Sequence, residues 1–367
     1  MEVLAAVVSE HNVPLRVQPV PLPELEVGAI LGRVEAATLC ATDVHVWHGD
    51  LGSKAGQSIT PYIPGHETAS VVVDVNGERR DLLGEIIKPG DRVVVAYPFC
   101  GKCFYCTIAG QPTLCEDSIR YGRERCDLFP YLLGGCAEYH YYPARAEVIR
   151  IPDEVSSPLA AASACAFRTI MHGFERLGDI RPNETVLVQG SGPLGLFATA
   201  VAREKGARRV LTIGGPEARL EVAKALGADE VLNIADASDA AQRTDWVLGE
   251  TSGRGADVVI QCVSASAIPE GLNMVRRGGR YVSIGTGPEA VTIPGAIFTN
   301  KNLKFASIRS GRAHHFHQAL DFLATRKKDI PFDLFISAEY SLSQTTQALE
   351  DMASYKIVKP VILPTLA

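Results

Sequence analysis

The stretch TVLVQGSGPLGLFATAVAREKGARRVLTIGG, Thr185 to Gly215, decides the fold of the second half of this chain. Residues 186–188 predict a short buried strand, because they are apolar and largely β-branched without alternation. A strict G-x-G-x-x-G turn and an apolar helix follow this strand. Gly206 is placed to end the helix, and residues 210–213 predict the next strand. The stretch therefore predicts one βαβ unit with a glycine-rich turn at its centre.

The residues of this turn have separate expected roles. Gly190 makes the turn tight, Gly192 lets the backbone approach a pyrophosphate, and Gly195 lets the helix pack on the strand. Pro193 and Leu194 begin the helix, whose N-terminus offers free N–H groups to phosphates. Because the motif lies between a strand and a helix, we predict dinucleotide binding here; the alternative is a glycine-rich turn without a ligand.

Length and composition describe a globular protein of about two domains. The chain has 367 residues, 46% of them hydrophobic and 21% charged, and its net charge is -6. This charge provides no general attraction to nucleic acid or to an anionic membrane. No apolar run approaches the roughly 20 residues of a membrane helix, and the N-terminal segment lacks the basic start of a secretory signal. We therefore expect neither nucleic acid nor a membrane as a partner.

Cysteine usage indicates metal binding in a cytoplasmic protein. The nine cysteines are an odd number in a long chain, which argues against a disulfide framework. Cys100, Cys103 and Cys106 have C-x-x-C-x-x-C spacing, and Cys115 follows after eight intervening residues. Four thiolates suit tetrahedral Zn²⁺, and a closed set of four ligands is typical of a structural site. An iron–sulfur cluster, or four reduced cysteines without a metal, are the alternatives.

The pattern of predicted elements changes once along the chain. Residues 1 to about 155 have no sustained helical period and predict short strands broken by proline and glycine, with a polar surface excursion over 76–85. An Ala-rich helical stretch follows at 157–178, and strands and helices then alternate, which predicts a parallel sheet with helices on both faces. The expected strands lie at 71–73, 93–95, 231–234, 258–262, 280–284 and 358–363, and the expected helices at 217–226, 238–252, 265–276, 313–326 and 343–354.

Three further segments carry metal or proton chemistry. They are CATDVH at 40–45, GHE at 65–67 and Cys165 in SACAFRT. Taken alone, Cys165 is typical of a small core residue, and His66 of a loop histidine. Together with the dinucleotide turn and the four-cysteine lobe, these segments resemble the zinc-dependent medium-chain alcohol dehydrogenases. The resemblance covers nearly the whole chain and follows the family's order of motifs.

The resemblance implies an α/β fold with two domains. A mainly β, GroES-like catalytic domain with a distorted barrel would span residues 1–165 and include a structural zinc lobe at about 98–117. A Rossmann domain with a doubly wound parallel sheet would span 166–305, and residues 306–367 would return to the catalytic domain. Relatives are dimers or tetramers, so a homodimer or homotetramer is expected.

The resemblance also implies the catalytic residues. Cys40, His66 and Cys165 match the ligands of a catalytic zinc with one open position, while the four lobe cysteines match a structural zinc. Thr42 matches the hydroxyl that takes the alcohol proton, and His45 the histidine that passes it to solvent.

Two carboxylates belong to the same implied site. Asp43 matches the residue that orients the zinc-bound histidine. Glu67 matches an acidic neighbour of the metal that is not a ligand. Both are therefore expected beside the catalytic zinc.

The cofactor residues implied by the resemblance are spread along the chain. Thr169 is expected to touch the nicotinamide and Lys359 to lie near the pyrophosphate. The remaining candidates follow Rossmann strands, and they are Gly214, Gly215, Arg219, Val263 and Ile284.

Two residues depart from the family pattern. Ala41 stands where animal members often have a basic residue that contacts phosphate. Gly214 stands where NAD-dependent enzymes place an acidic residue on the ribose. The absence of an acidic residue at position 214 leaves NADP binding possible. Glu217 would nevertheless repel a 2′-phosphate, and Arg219 is the only nearby cation, so we expect NAD to be preferred.

These inferences predict a reversible hydride transfer between a small-molecule alcohol and NAD(P), giving a ketone or aldehyde. Candidate pocket residues Trp47, Phe99 and Ile284 favour an apolar secondary alcohol, while a polyol or threonine-type substrate remains the alternative. A zinc-free quinone or enone reductase is disfavoured because all three zinc ligands are present. A non-catalytic zinc and nucleotide-binding sensor would have no need for Thr42 and His45.

Overall fold

The computed structural model describes residues 1–51, 59–287 and 289–366. The chain divides into two compact units by its internal contacts. Unit 1 comprises Met1–Arg168, Arg312–Arg326 and Asp333–Ala367, and unit 2 comprises Thr169–Gly311 and Lys327–Phe332.

Fifteen strands and eleven α-helices are present in the described residues. The strands are β1 (Glu2–Val7), β2 (Arg16–Pro21), β3 (Ile30–Thr38), β4 (Glu67–Val75), β5 (Arg92–Val95), β6 (Tyr139–Tyr142), β7 (Val148–Arg150), β8 (Thr185–Gln189), β9 (Arg209–Gly214), β10 (Glu230–Asn233), β11 (Ala256–Gln261), β12 (Val275–Ser283), β13 (Lys304–Ser307), β14 (Ile336–Tyr340) and β15 (Lys359–Ile362). The helices are α1 (Ala41–His48), α2 (Phe104–Thr107), α3 (Ser157–Ala162), α4 (Arg168–Leu177), α5 (Pro193–Glu204), α6 (Glu217–Ala225), α7 (Ala240–Glu250), α8 (Ile268–Met274), α9 (Ala296–Asn300), α10 (Ala313–Arg326) and α11 (Thr345–Ala353).

Unit 1 is built on a seven-stranded sheet of mainly antiparallel pairs. Its order is β14-β15-β3-β4-β5-β7, with β6 also paired to β3, while β1 and β2 form a separate antiparallel pair. The register of β3 with β4 sets Thr38 opposite Glu67, and β15 sets Val361 opposite Thr38 on the other side. Three strands therefore bring their ends together where the segment 40–45 begins.

Unit 2 is built on a six-stranded parallel sheet. Its order is β10-β9-β8-β11-β12-β13, which is the 3-2-1-4-5-6 order of a Rossmann fold. β8 lies at the centre, buried on both faces, as its apolar sequence predicts. The strand order reverses between β8 and β11, and ligands bind at such a switch point beyond the carboxyl ends of the strands. The predicted α/β fold with its Rossmann sheet is confirmed.

Several local predictions differ from the structure. The mainly β first region contains the helix α1, which the sequence pattern did not indicate. The helix predicted at 265–276 ends earlier, because β12 begins at Val275. The helical stretch predicted at 157–178 is interrupted by a π-helical segment, Ser163–Phe167, between α3 and α4.

Helix α5 ends as predicted at its glycine. Gly206 has a φ of 85°, a conformation that favours glycine, and the Ala207 N–H donates to the Ala202 carbonyl at 3.1 Å. None of the helices among the described residues combines the length and the apolar character needed to cross a membrane.

Candidate active site and metal centres

Cys40 caps the N-terminus of α1. The Thr42 N–H donates to Cys40 Sγ at 3.3 Å, and the Cys40 N–H donates to Asp43 Oδ2 at 2.9 Å, so a thiol replaces the usual hydroxyl of a capping box. A hydrogen bond from Cys165 lowers the pKa of the Cys40 thiol, against the opposing effect of burial. A helix N-terminus also favours the thiolate, which is the form of cysteine that binds metals.

His66 is oriented by Asp43. The His66 Nδ1 atom lies 3.0 Å from Asp43 Oδ1, which also accepts the Gly65 N–H at 3.2 Å, and both side chains are 3% exposed. The other ring nitrogen, Nε2, lies 3.4 Å from Cys40 Sγ. A carboxylate on one imidazole nitrogen fixes the tautomer that leaves the other nitrogen free for a metal. This is the arrangement that the resemblance implies for Asp43.

Cys165 joins this pair from the π-helical segment. The potential ligand atoms of Cys40, His66, Glu67 and Cys165 all lie within 4.8 Å of one another. A π-helical turn carries one more residue than an α-turn, and such turns occur frequently at functional sites. The segment therefore sets the direction from which the Cys165 sulfur reaches the cluster.

The donor set of Cys40, His66 and Cys165 fits zinc. Tetrahedral zinc with bonds of 2.0–2.3 Å places its ligand atoms roughly 3.5–3.8 Å apart, and two thiolates with one imidazole leave a fourth position open. The separation of 3.4 Å between the Cys40 sulfur and the His66 nitrogen is close to this value.

The Glu67 carboxylate forms a buried ion pair with Lys359. Its Oε2 atom contacts the Lys359 ammonium and also accepts a hydrogen bond from the Thr38 hydroxyl, and all three residues are 0% exposed. Burial raises the pKa of Glu67, and the Lys359 charge opposes this rise. Lys359, expected near the pyrophosphate, is thus placed against Glu67 inside unit 1.

The four lobe cysteines form a second cluster. Their sulfur atoms all lie within 4.8 Å of one another, with 3.9 Å between Cys100 and Cys106 and 3.5 Å between Cys103 and Cys106. Backbone N–H groups also point at the sulfurs: the Cys100 N–H donates to Cys115 Sγ at 3.5 Å. Four thiolates at this spacing fit a closed tetrahedral zinc site.

The two predicted relay residues lie on α1. Thr42 is half-buried, whereas His45 is exposed, and its Nδ1 atom lies 3.1 Å from Asp50 Oδ2. Trp47, a candidate for the substrate pocket, is instead buried in the core of unit 1, with its indole N–H donating to the Val13 carbonyl at 3.0 Å. Phe99 is half-buried.

The glycines of the dinucleotide turn have the environments that their expected roles require. Gly190 has a φ of 115°, and a Cβ at Gly195 would lie 2.7 Å from the Gly190 carbonyl carbon. A Cβ at Gly192 would have no heavy atom within 4 Å, so this position is open to a ligand. Pro193 and Leu194 form the first turn of α5.

Gly214 is required by its packing. A Cβ at this position would lie 2.6 Å from Ser191 Cβ, and the Ser191 hydroxyl is fixed by the Gly215 N–H at 2.9 Å and the Gly215 carbonyl at 3.0 Å. A side chain at position 214 would therefore clash with the Ser191 side chain and also with the Ser191 backbone nitrogen, which would lie 2.8 Å from its Cβ. Glu217 accepts a hydrogen bond from Asn233 Nδ2 at 3.0 Å, and Arg219 is 5% exposed.

The other cofactor candidates lie in unit 2. Val263 is 38% exposed, and it borders the turn, since its Cγ1 atom would lie 2.5 Å from a Cβ at Gly190. Ile284 is buried, and Thr169 is buried in α4.

The structure adds residues that the sequence motifs did not indicate. Thr38 binds Glu67, Asp50 contacts His45, and Arg168 is buried beside Tyr97. The sequence feature that could have indicated Arg168 is a charged residue within an Ala-rich stretch, three residues after Cys165.

Comparisons with known proteins agree with this description. Residues 27–153 match the family model described as the alcohol dehydrogenase GroES-like domain, and residues 193–325 match the zinc-binding dehydrogenase model. The chain is 31% identical to the 5-exo-hydroxycamphor dehydrogenase of Pseudomonas putida, over 99% of each chain. It is 36% identical to an alcohol dehydrogenase of Geobacillus stearothermophilus, covering 88% of this chain and 89% of the other. Among solved structures, an alcohol dehydrogenase from Thermotoga maritima superposes with a TM-score of 0.91, at 30% identity and 99% coverage of both chains.

Proposed function

This chain belongs to the zinc-dependent medium-chain alcohol dehydrogenase family, and we propose that it oxidises a secondary alcohol with a largely apolar skeleton to a ketone, reversibly, with NAD as the preferred hydride acceptor. The observation that carries the proposal is the cluster of Cys40, His66 and Cys165. This cluster has the two sulfur donors and one imidazole donor of an open alcohol dehydrogenase zinc site.

The protein residues prepare this site for chemistry. Cys40, His66 and Cys165 hold a catalytic zinc, and Asp43 fixes the His66 imidazole through its Nδ1 atom at 3.0 Å. When bound there, Zn²⁺ supplies Lewis acidity, which lowers the pKa of an alcohol hydroxyl group from about 16 towards neutrality. The charge of Glu67 is held by Lys359, which keeps this carboxylate from serving as a fourth ligand. The lobe cysteines hold a second, structural zinc.

Proton removal uses α1. We assign to the Thr42 hydroxyl the acceptance of the substrate proton and to His45 its transfer to solvent, which the 49% exposure of the His45 side chain supports. Asp50, at 3.1 Å from Nδ1, orients the His45 ring.

The cofactor site is assigned to the glycine turn and to the strand ends of unit 2. The nicotinamide cofactor supplies the hydride acceptor. Ser191 leaves no space for an acidic side chain at Gly214, so no carboxylate at that position repels a phosphate on the 2′-position of the ribose. Glu217, held by Asn233, still places negative charge near this end of β9, which favours NAD over NADP.

Two observations support an apolar substrate. The name of one relative gives a hydroxylated camphor as its substrate. Aromatic side chains, Tyr97 and Phe316, also lie in the unit that carries the metal ligands.

Assembly and location complete the proposal. We propose a homodimer or homotetramer, which light scattering on the purified protein tests directly. A cytoplasmic location is supported by the nine cysteines, none of which forms a disulfide within the described residues.

The experiment that tests the function is a substrate screen on zinc-loaded protein. Secondary alcohols, polyols and threonine are assayed with NAD and with NADP at the nicotinamide absorbance, together with elemental analysis. Cys165→Ser is expected to abolish turnover, while Cys126→Ser, at a buried cysteine outside both clusters, is the matched control. Turnover that is preserved in Cys165→Ser, or absent with every alcohol, contradicts the proposal. Faster turnover of polyols or threonine would move the substrate to the alternative class.

A further inference from the structure

Arg168 is a buried cation that pairs with no carboxylate among the residues that the structure describes. It is the first residue of α4 and lies three residues after Cys165, and it is 1% exposed. Its guanidinium carbon lies 4.7 Å from the centre of the Tyr97 ring and 5.7 Å from the centre of the Phe316 ring. Within residues 1–51, 59–287 and 289–366, it forms no ion pair, and its Nε atom has no hydrogen-bond acceptor. Two aromatic faces therefore contact the guanidinium, and its Nε–H is left without an acceptor among these residues.

Two other cations with little exposure have carboxylate partners. Lys359 contacts Glu67, and Arg280 contacts Glu184, with the Arg280 side chain 14% exposed. An arginine side chain stays ionised in a protein, and burying an unpaired charge is costly. Cation–π contacts recover only part of that cost. The expected partner of Arg168 is therefore a group that is not part of the chain.

Tyr97 connects Arg168 with the metal-ligand cluster. Burial raises the pKa of the Tyr97 phenol, which is also influenced by the charges of His66, Cys165 and Arg168. Its hydroxyl is a group that can donate a hydrogen bond to a ligand. The residues beside the metal ligands thus include a guanidinium whose Nε has no acceptor among the described residues, and a phenol hydroxyl.

We propose that Arg168 and Tyr97 bind an oxygen acceptor, a carboxylate or a ketone, carried by the substrate at a distance from its reacting hydroxyl group. The proposal rests on the proposed function, which supplies the alcohol. It narrows the substrate to hydroxy acids or hydroxy ketones with an apolar skeleton. A guanidinium offers a planar pair of N–H donors that matches a carboxylate, and a ketone oxygen accepts one of them.

The position of Arg168, three residues after Cys165 and beside Tyr97, favours the substrate over the cofactor as the ligand. Arg168, Tyr97 and Phe316 belong to the unit that carries Cys40 and His66, whereas the glycine turn belongs to unit 2. We therefore expect the affinity for the nicotinamide cofactor to be independent of Arg168.

The kinetic test uses three alcohols that differ only in the remote group: cyclohexanol, 4-hydroxycyclohexanone and 4-hydroxycyclohexanecarboxylate. The wild-type protein should favour one or both substituted alcohols over cyclohexanol. Arg168→Met should reduce kcat/KM for the favoured compound about ten- to a hundredfold, which corresponds to the free energy of one charge-assisted hydrogen bond. The kcat/KM for cyclohexanol should change little. Arg80→Met, at an exposed arginine paired with Glu78, is the control and should change none of the three. Equal losses on all three alcohols would overturn the proposal.

A binding measurement separates this proposal from the proposed function. Calorimetry with cyclohexanecarboxylate and zinc-loaded protein, without cofactor, should show at least tenfold weaker binding to Arg168→Met. Equal binding to both proteins overturns the proposal, even if an alcohol is oxidised. Weaker binding to the variant supports it, even if no alcohol in the screen is turned over. A tenfold weaker affinity for NADH in Arg168→Met, with the three alcohols unaffected, would assign the donors to the cofactor and also overturn it.

Thermal unfolding controls for a structural role. Arg168→Met removes an unpaired buried charge and keeps much of the packing, so its unfolding midpoint should be unchanged or higher. A lower midpoint that Arg168→Lys restores would show that the cation serves the fold, and would contradict a binding role.

Discussion

The buried pair of Glu67 and Lys359 allows a quantitative prediction. Lys359→Met removes the ammonium and leaves the Glu67 carboxylate at 0% exposure, with the Thr38 hydroxyl as its remaining partner. Removing one partner of a buried ion pair lowers the free energy of unfolding by about 3–5 kcal/mol, because the remaining charge stays buried without compensation. In a unit of this size, a loss of about 1 kcal/mol of unfolding free energy lowers the unfolding midpoint by roughly 2–4 °C. The variant should therefore unfold roughly 6–20 °C below the wild type.

Two further variants make the test specific. Glu67→Gln combined with Lys359→Met leaves no uncompensated charge and should recover most of the loss. Lys356→Met is the matched control, because Lys356 is 66% exposed and its pair with Asp351 at 2.9 Å is a surface interaction of about 0–1 kcal/mol. Thermal unfolding is followed by circular dichroism at pH 7 on zinc-loaded protein. The reasoning is refuted if Lys359→Met is no less stable than Lys356→Met, or if the double variant is as unstable as the single one.

Three further predictions concern other sites. Cys103→Ser should lower the zinc content to about one ion per chain and reduce stability, because a structural zinc contributes folding free energy directly; an unchanged metal content contradicts this. His45→Gln should slow alcohol oxidation about ten- to a thousandfold below pH 7 and less at high pH, where solvent base substitutes, whereas an unchanged pH–rate profile removes His45 from the relay. Burial lowers the pKa of His140 from 6.5 to about 3. Below pH 6.5 the unfolded chain therefore takes up a proton at this residue that the folded chain does not, and the free energy of unfolding decreases as the pH falls towards 3. His140→Phe should therefore reduce the loss of stability between pH 7 and pH 4.5 by about 2–3 kcal/mol, measured by denaturant unfolding; equal losses in both proteins would refute this.

The parts of the fold that could be predicted depend on local chemistry. The glycine turn is recognisable because a φ of 115° at Gly190 and the close approach at Gly195 each require glycine. The spacing of Cys100, Cys103 and Cys106 reflects ligands on one short loop, which also needs no tertiary information.

The features that escaped prediction depend on tertiary packing. α1 has a thiol as its cap and too few residues for a clear apolar period, so Cys40 indicated a ligand but not a helix start. The π-helical segment is invisible in the spacing of apolar residues, because Ala-rich sequence fits either helical register. Lys359 is the first residue of β15, a position where a lysine is usually exposed, and only the pairing of β15, β3 and β4 brings it to Glu67.

The contact between Ser191 and Gly214 restricts the order in which cofactor preference can change by mutation. A Cβ at position 214 would lie 2.6 Å from Ser191 Cβ and 2.8 Å from the Ser191 backbone nitrogen, so an aspartate there requires glycine at position 191 and, in addition, a shift of the turn backbone. The first of these changes removes the two hydrogen bonds to Gly215 before any benefit is gained. Natural or laboratory evolution that proceeds by single substitutions therefore faces an epistatic barrier here, and a library aimed at cofactor specificity should vary position 214 together with several residues of the turn around position 191.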